Sequence, residues 1–96
     1  MIPKNEYTLG EALSLLFKEL KLEEKLFEQQ IRQHWAQWFG PAFGKYTHSI
    51  RLRHQKLHLH ITSAPLRQEI WFRKDQLMQR INEALSAQAV KEVVVY

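Results

Sequence analysis

The stretch from residue 47 to residue 61, THSIRLRHQKLHLHI, changes the hydrophobic period of the chain from that of a helix to that of a strand. Apolar residues occupy every second position on either side of His54-Gln55, which favours two half-buried strands joined by a tight turn. The turn lacks the Asn-Gly pair that two-residue hairpins prefer, so its type stays open. The predicted buried face comprises Ile50, Leu52, Leu57, Leu59 and Ile61.

The opposite face of this hairpin carries polar side chains, among which Arg51, Arg53 and Lys56 form a compact positive surface. Lys45 and Arg67 flank it in sequence. Such a face can bind a phosphate backbone, with hydroxyl groups adding neutral contacts. An ordinary solvated side of an antiparallel sheet would show the same pattern, and the two interpretations remain open. The predicted outward residues are Thr47, Ser49, Arg51, Arg53, Lys56, His58 and His60.

Two apolar stripes at helical spacing precede the hairpin. Thr8 and Glu11 fit a capping box in front of the first stripe, which predicts a helix over about residues 9–20. The second stripe predicts a helix over about residues 23–39. The break between them is weakly marked, so one kinked helix is the alternative. The first stripe is Leu9, Leu13, Leu16 and Leu20, and the second is Leu22, Leu26, Phe27, Ile31, Trp35 and Trp38.

The rest of the chain completes an α+β pattern. Residues 41–46 are predicted to be a loop, and Ser63 followed by Pro65 marks the start of a long helix over about residues 64–85. The β-branched run 90–96 predicts a third strand. The predicted order is α-α-β-β-α-β, with helices packed on one face of a small three-stranded mixed sheet. The last strand follows a helical crossover, so it should lie parallel to one hairpin strand.

Charge is distributed unevenly along the chain. The net charge is +4, and residues 31–80 carry nine Lys and Arg against two acidic residues. A basic section between nearly neutral ends favours an anionic partner, and a solvated basic face without a partner is the alternative. The chain has no Cys, which excludes disulfides, thiolate nucleophiles and Cys-based zinc sites. No apolar run approaches the ~20 residues that span a bilayer, and the start lacks the apolar region of a signal peptide, so we expect no membrane partner and a cytoplasmic location.

The sequence offers little for catalysis or metal binding. His58 and His60 point the same way on a strand, but third and fourth ligands are missing, so we expect no metal. The glycines at 40 and 44 form neither a P-loop nor a dinucleotide fingerprint, and no serine has an evident base. We therefore predict a binding module and not an enzyme, with no cofactor and no small-molecule substrate.

The long C-terminal helix supplies the remaining candidate contacts. Trp71 and Phe72 lie off the centre of its apolar stripe, so they either widen the buried face or form an exposed contact patch. Aromatic residues beside Arg make good interface anchors, and we assign these two to protein interaction. The predicted nucleic-acid-binding residues are Lys45, Arg51, Arg53, Lys56, Arg67, Arg73 and Lys74.

Several spaced elements of the sequence resemble the DciA family. They are a W-x-x-hydrophobic-hydrophobic-G element at 35–40, Tyr46-Thr47 before the hairpin, the stretch TSAPLRQEI at 62–70, and a closing Val-rich strand. The resemblance covers about residues 9–96 of a predicted single DciA-like domain, 1–96. It implies a fold related to the KH domain, DNA binding, and a role in bacterial DNA replication: recruiting or loading the DnaB-type replicative helicase. It implies no cofactor.

Departures from the family pattern affect the binding mode more than the fold. KH domains clamp single strands with a GxxG loop, and Gly40 and Gly44 are one residue too far apart to form one. His54-Gln55 stands where a Gly-containing turn is usual, and Ser86 where a Gly is usual.

The leading hypothesis is a helicase-associated module that binds single-stranded or forked DNA. One alternative is a protein-interaction module whose basic face docks on an acidic partner. Another is a KH-like module that binds RNA.

Overall fold

The predicted hairpin forms two of the three strands of a mixed sheet in the computed structural model, which describes residues 8–96. The first seven residues of the predicted domain lie outside this range. Strands β1 (Thr47–Arg53) and β2 (Lys56–Ile61) pair antiparallel, and β2 and β3 (Glu92–Val95) pair parallel, in the order β1-β2-β3. The α+β fold class, with helices on one face of this sheet, is confirmed. The elements are α1 (Leu9–Phe39), α2 (Pro41–Tyr46), β1 (Thr47–Arg53), β2 (Lys56–Ile61), α3 (Ala64–Phe72), α4 (Lys74–Leu85) and β3 (Glu92–Val95).

The first helix, α1, is continuous over 31 residues. The prediction of two separate helices is wrong, and the alternative of one helix is correct, because no Gly or Pro interrupts the chain between Gly10 and Gly40. The predicted capping box is present at the N-terminus, where the Thr8 hydroxyl accepts a hydrogen bond of 3.2 Å from the Glu11 amide. Gly40 ends the helix with a φ of +101°, which a side chain would disfavour.

A short helix, α2, occupies residues 41–46, where the sequence predicted a loop. Pro41 begins it, in the position where a missing N–H costs nothing. α2 packs closely on α1, since a Cβ added at Gly44 would lie 2.9 Å from the Ala36 Cβ. This approach brings the Phe43 ring to 5.5 Å from that of Phe39. The loop prediction is therefore wrong. Packing against α1 stabilises a helix of six residues, which is too short to show a hydrophobic period in the sequence.

The predicted helix over residues 64–85 is divided into α3 and α4. The start is confirmed, since the Ser63 hydroxyl accepts from the Leu66 amide at 3.4 Å. The division falls at Arg73, whose φ of −112° and ψ of 19° depart from helical values. No Gly or Pro marks this position. The prediction of a single helix is therefore wrong, and no local breaker in the sequence marks the bend. Ile70 and Leu77, on either side of it, both pack in the core.

The third strand is shorter than predicted, but its parallel pairing is confirmed. β3 covers Glu92–Val95 and runs beside β2. The Asn82 side chain fixes the segment before it: its amide nitrogen donates to the Val90 carbonyl at 2.8 Å, and its amide oxygen accepts from the Val90 N–H at 2.9 Å. α4 is thereby connected to the start of the last strand.

The core lies between the helices and one face of the sheet. All five hairpin residues predicted to be buried are buried. Trp35 is buried beside them, and its indole N–H donates to the Thr47 hydroxyl at 2.9 Å. The core comprises Ile31, Trp35, Ile50, Leu52, Leu57, Leu59, Ile61, Ile70, Leu77, Ile81, Ala89, Val90 and Val93.

A β-bulge corrects the prediction for Thr47. Thr47 pairs with Ile61 and Ser49 with His60, so His48 is the extra residue on β1. The insertion reverses the alternation, and Thr47 turns inward, where its hydroxyl also donates to the Phe43 carbonyl. The prediction that Thr47 lies on the outward face is wrong because a regular period of two cannot anticipate a bulge.

Side chains of α1 satisfy the free backbone groups along the edge of β1. The Glu28 carboxylate accepts from the Leu52 N–H at 2.8 Å, and the Arg32 guanidinium donates to the Ile50 carbonyl at 3.0 Å. Glu28 is only 9% exposed, so its carboxylate lies against the strand and not in solvent. Sheet edges present unpaired N–H and C=O groups that must be satisfied or protected, and α1 does so here.

We expect Glu28→Ala to destabilise the fold by about 2 kcal/mol, because it leaves the buried Leu52 N–H without its charged acceptor. Glu24→Ala is the matched control, since Glu24 accepts from the exposed Gln55 N–H at 3.4 Å on the same helix. Its cost should stay below about 1 kcal/mol. Urea unfolding followed by circular dichroism measures both values, and equal losses would contradict the role given to Glu28.

Substitution in the hairpin turn, in contrast, should raise the free energy of unfolding. His54 and Gln55 have φ values of 51° and 63°, which identify a type I′ turn that favours Asn-Gly. We expect the double substitution His54→Asn, Gln55→Gly to raise the free energy of unfolding by about 1 kcal/mol, because Asn and Gly adopt the left-handed backbone conformation of these two positions with less strain. Gln55→Ala is the control and should give no gain, since alanine also disfavours positive φ. A double variant no more stable than the parent would refute this account of the turn.

Candidate nucleic-acid interface

The face of the sheet that points away from the helices, here called the open face, is arranged by strand register. Arg51 on β1 lies opposite His58 on β2, and Arg53 lies opposite Lys56 near the turn. On the other side of β2, His58 lies beside Val94 and Lys56 beside Glu92. All of the residues predicted to face outward therefore occupy the open face except Thr47, which the bulge turns inward.

The three basic residues of the hairpin differ in their partners. The Arg53 guanidinium turns toward the β1 edge, where it lies 3.9 Å from the Glu28 carboxylate. The Lys56 ammonium lies 3.5 Å from the Glu92 carboxylate. Within residues 8–96, Arg51 forms no ion pair, although it is exposed. Among the described residues, Arg51 is therefore the cation of these three that can bind a ligand without first leaving a carboxylate.

Lys45 and Arg67 lie at the end of the hairpin away from the turn. Lys45 is near the end of α2, with its ammonium 5.4 Å from the Tyr46 ring centroid. Arg67, on α3, donates to the Ile61 carbonyl at 2.7 Å and is half-buried. One guanidinium nitrogen of Arg67 therefore connects α3 to the last residue of β2, which gives this side chain a structural contact as well as its charge.

The remaining predicted residues meet at the bend between α3 and α4. The Arg73 guanidinium lies 2.7 Å from the Glu69 carboxylate, and the Lys74 ammonium lies 3.9 Å from the Trp71 ring centroid. Trp71 is 57% exposed and Phe72 is 73% exposed. Of the two alternatives for these aromatic residues, the exposed patch is therefore correct. The bend belongs to the helix layer, so it does not share the open face with Arg51.

A row of rings across the open face was not predicted from the sequence. It comprises His48, His60, Tyr96 and His58, and we call it the ring row. The centroid distances along it are 5.5 Å from His48 to His60, 6.2 Å from His60 to Tyr96, and 5.9 Å from Tyr96 to His58. The alternating histidines were a signal, but the place of Tyr96 depends on the pairing of β3 with β2. No group of three or more His, Cys, Asp or Glu among the described residues is arranged to hold a metal ion.

The first apolar stripe of α1, which the sequence indicated as one face of an amphipathic helix, is exposed. Leu9 is 79% exposed, and the exposed set continues along the N-terminal half of the helix. α1 extends past the part of the sheet that could cover it, because its buried residues begin only at Glu28. We call this exposed set the leucine face; it comprises Leu9, Leu13, Leu16, Phe17 and Leu20.

A depression of about 400 Å³ adjoins the leucine face near the hairpin turn. Leu20, Phe27 and Leu52 form its apolar part, and Glu23 and Glu24 supply carboxylates. No Lys or Arg of the described chain lines it. An apolar, acidic hollow is unsuited to a phosphate backbone, so the basic residues and this depression constitute separate surfaces.

Comparison with known proteins gives one match. A family model described as "Dna[CI] antecedent, DciA" matches residues 8–95, nearly the whole chain. Neither a curated protein nor a solved structure matches. None of the helices in the described part of the chain is long and apolar enough to cross a membrane.

Proposed function

The chain belongs to the DciA family, and from this premise we propose that it is a non-enzymatic module that binds DNA and recruits or loads the DnaB-type replicative helicase. The family is associated with helicase loading in replication, which supports the general role. The observation that carries the DNA part is the exposed Arg51 on the open face, with no carboxylate partner among residues 8–96.

Arg53 and Lys56 extend this DNA contact beyond a single residue. Both of their ion pairs involve side chains about half exposed on the basic partner, at 48% for Arg53 and 53% for Lys56. Exposed ion pairs contribute little, typically ~0–1 kcal/mol, so a phosphate group can replace the Glu92 carboxylate, itself 55% exposed, at small cost. The Glu28 side chain is only 11% exposed and accepts from the Leu52 N–H, so Arg53 would contact a phosphate with the exposed part of its side chain while it stays beside that carboxylate. We therefore assign Arg51, Arg53 and Lys56 to one phosphate-binding surface.

The other predicted cations are proposed to act around this surface. Lys45 and Arg67 extend it at the far end of the hairpin, where Arg67 retains its hydrogen bond to Ile61. Arg73 and Lys74 lie at the α3–α4 bend, and their charge would guide a strand that passes from the sheet to the helices. Phosphate contacts of this kind position a nucleic acid without reading its sequence.

The exposed aromatic residues at the α3–α4 bend are proposed to contact the helicase. Trp71 and Phe72 form an apolar projection with the Lys74 ammonium held against the indole. Trp is enriched among residues that dominate binding energy at protein interfaces. The bend lies in the helix layer, so a helicase bound there would leave the open face accessible to DNA.

One alternative retains specific support. The carboxylates near Arg53, Lys56 and Arg73 reduce the positive field available to DNA. The leucine face adds apolar surface of the kind that marks protein contacts. A module that binds only proteins would have these features, and measured affinity for the helicase without affinity for DNA would favour it.

Charge removal on the hairpin tests the DNA surface. We expect the triple variant Arg51→Ala, Arg53→Ala, Lys56→Ala to bind single-stranded DNA more weakly and to reduce the slope of log affinity against log salt by about 2. The reason is that three phosphate contacts, each releasing a counterion, are lost. Fluorescence anisotropy over a salt series measures the slope.

The control removes the same charge from exposed positions outside the assigned site: Lys18→Ala, Arg80→Ala, Lys91→Ala. Its slope should match that of the parent chain. An unchanged slope in the hairpin variant would reject the site, and circular dichroism of each variant establishes that the comparison is between folded proteins.

Substitution at the bend tests the helicase contact. We expect Trp71→Ala with Phe72→Ala to weaken binding to the purified DnaB-type helicase by about 30-fold, the loss typical of a dominant interface residue. The slope for DNA should not change. Biolayer interferometry measures the affinity, with Phe17→Ala on the leucine face as a matched exposed aromatic control. Loss of binding in the control alone would move the helicase contact to α1 and overturn the assignment to the bend.

A further inference from the structure

The ring row runs across the open face from β1 over β2 to the residue that follows β3. Each ring contacts the next, from His48 on β1 through His60 on β2 to Tyr96, which directly follows β3, and back to His58. Four ring-bearing side chains in succession on one side of a small sheet exceed what a solvated face requires, because any polar residue would serve there.

The row is held in a fixed arrangement. The His58 and Tyr96 rings are inclined by only 18°, and the His58 Nδ1 lies 3.0 Å from the Tyr96 hydroxyl. Tyr96 is 54% exposed, so much of its ring surface remains free. None of the four residues belongs to the core, which lies on the other side of the sheet. Packing therefore does not account for the rings.

The charges around the row suit a nucleic acid. Arg51 lies directly across from His58, and Ser49 lies across from His60. Glu92 is the one carboxylate side chain that the strand register brings to the open face within the described range, and Lys56 lies 3.5 Å from it. A cation beside free ring faces can contact a phosphate while the rings contact bases.

We propose that the ring row is a stacking site for the bases of single-stranded DNA, with Arg51 on the adjacent phosphate. Base stacking on aromatic side chains tolerates any sequence, because every base has a π-face. RNA recognition motifs use sheet-borne aromatic residues in the same physical manner. The inference rests on the proposed function for its ligand, and it adds that this chain binds bases through the open face as well as phosphates.

An oligonucleotide without bases separates the two kinds of contact. The parent chain is titrated with an oligothymidylate of about twelve nucleotides and with an abasic oligonucleotide of equal length. We expect tighter binding to the oligothymidylate. The variant Tyr96→Ala, His60→Ala should lose about tenfold or more for the oligothymidylate, the size of one lost stacking contact. It should bind the abasic strand as the parent does, with the same salt dependence.

The control variant is Tyr96→Phe, which keeps the ring and removes the hydroxyl. It should retain most of the affinity for the oligothymidylate. Photocrosslinking of an oligonucleotide carrying 5-iododeoxyuridine gives a second readout, and the crosslinked peptide should contain His58, His60 or Tyr96.

The outcomes distinguish this inference from the proposed function. Equal binding of the two oligonucleotides by the parent chain would overturn the stacking site and leave DNA binding intact. Equal loss for both oligonucleotides in the double alanine variant would also overturn it, since phosphate contacts would then explain the effect. Crosslinks confined to Trp71 or Phe72 would place the bases elsewhere. Failure of the parent chain to bind either oligonucleotide would refute both proposals.

Discussion

The placement of α1 along the sheet depends on the carboxylate of Glu28, which accepts a hydrogen bond from the Leu52 N–H at the sheet edge. Arg32 also donates a hydrogen bond to the Ile50 carbonyl, so side chains of α1 bond edge groups of β1 that a neighbouring strand would otherwise bond. This contact fixes the helix along β1, so the other helices can pack over a single face of the sheet. It also protects an edge that would otherwise pair with other chains. The open face stays free as a consequence.

The sequence predicted best what depends on neighbouring residues. Alternation identified the hairpin, and Thr8 and Ser63 identified two helix starts, because strand period and capping are local. The bend at Arg73 has no such marker, and the bulge at His48 is one residue in an otherwise regular pattern. The burial of Glu28 depends on a partner 24 positions away, and periodicity cannot supply that information.

The candidate site was predictable in part for the same reason. Which cations lie on one strand face follows from alternation, and Arg51 fits that expectation. Which of them are neutralised does not, because the carboxylates beside Arg53 and Lys56 come from α1 and β3. The exposure of the leucine stripe could not be foreseen either, since an amphipathic period gives the direction of a face and not what covers it.

The parallel pairing of β3 with β2 has a consequence for folding. An antiparallel hairpin has only local contacts, whereas β3 reaches β2 after a crossover through α3 and α4. Contacts between positions distant in sequence form slowly, because closing the intervening loop costs entropy before the contact is made. The contact between His58 and Tyr96 spans 38 positions. Val90 and Val93 enter the core with the same segment that brings Tyr96 to His58, so the open face and the hydrophobic core are completed together.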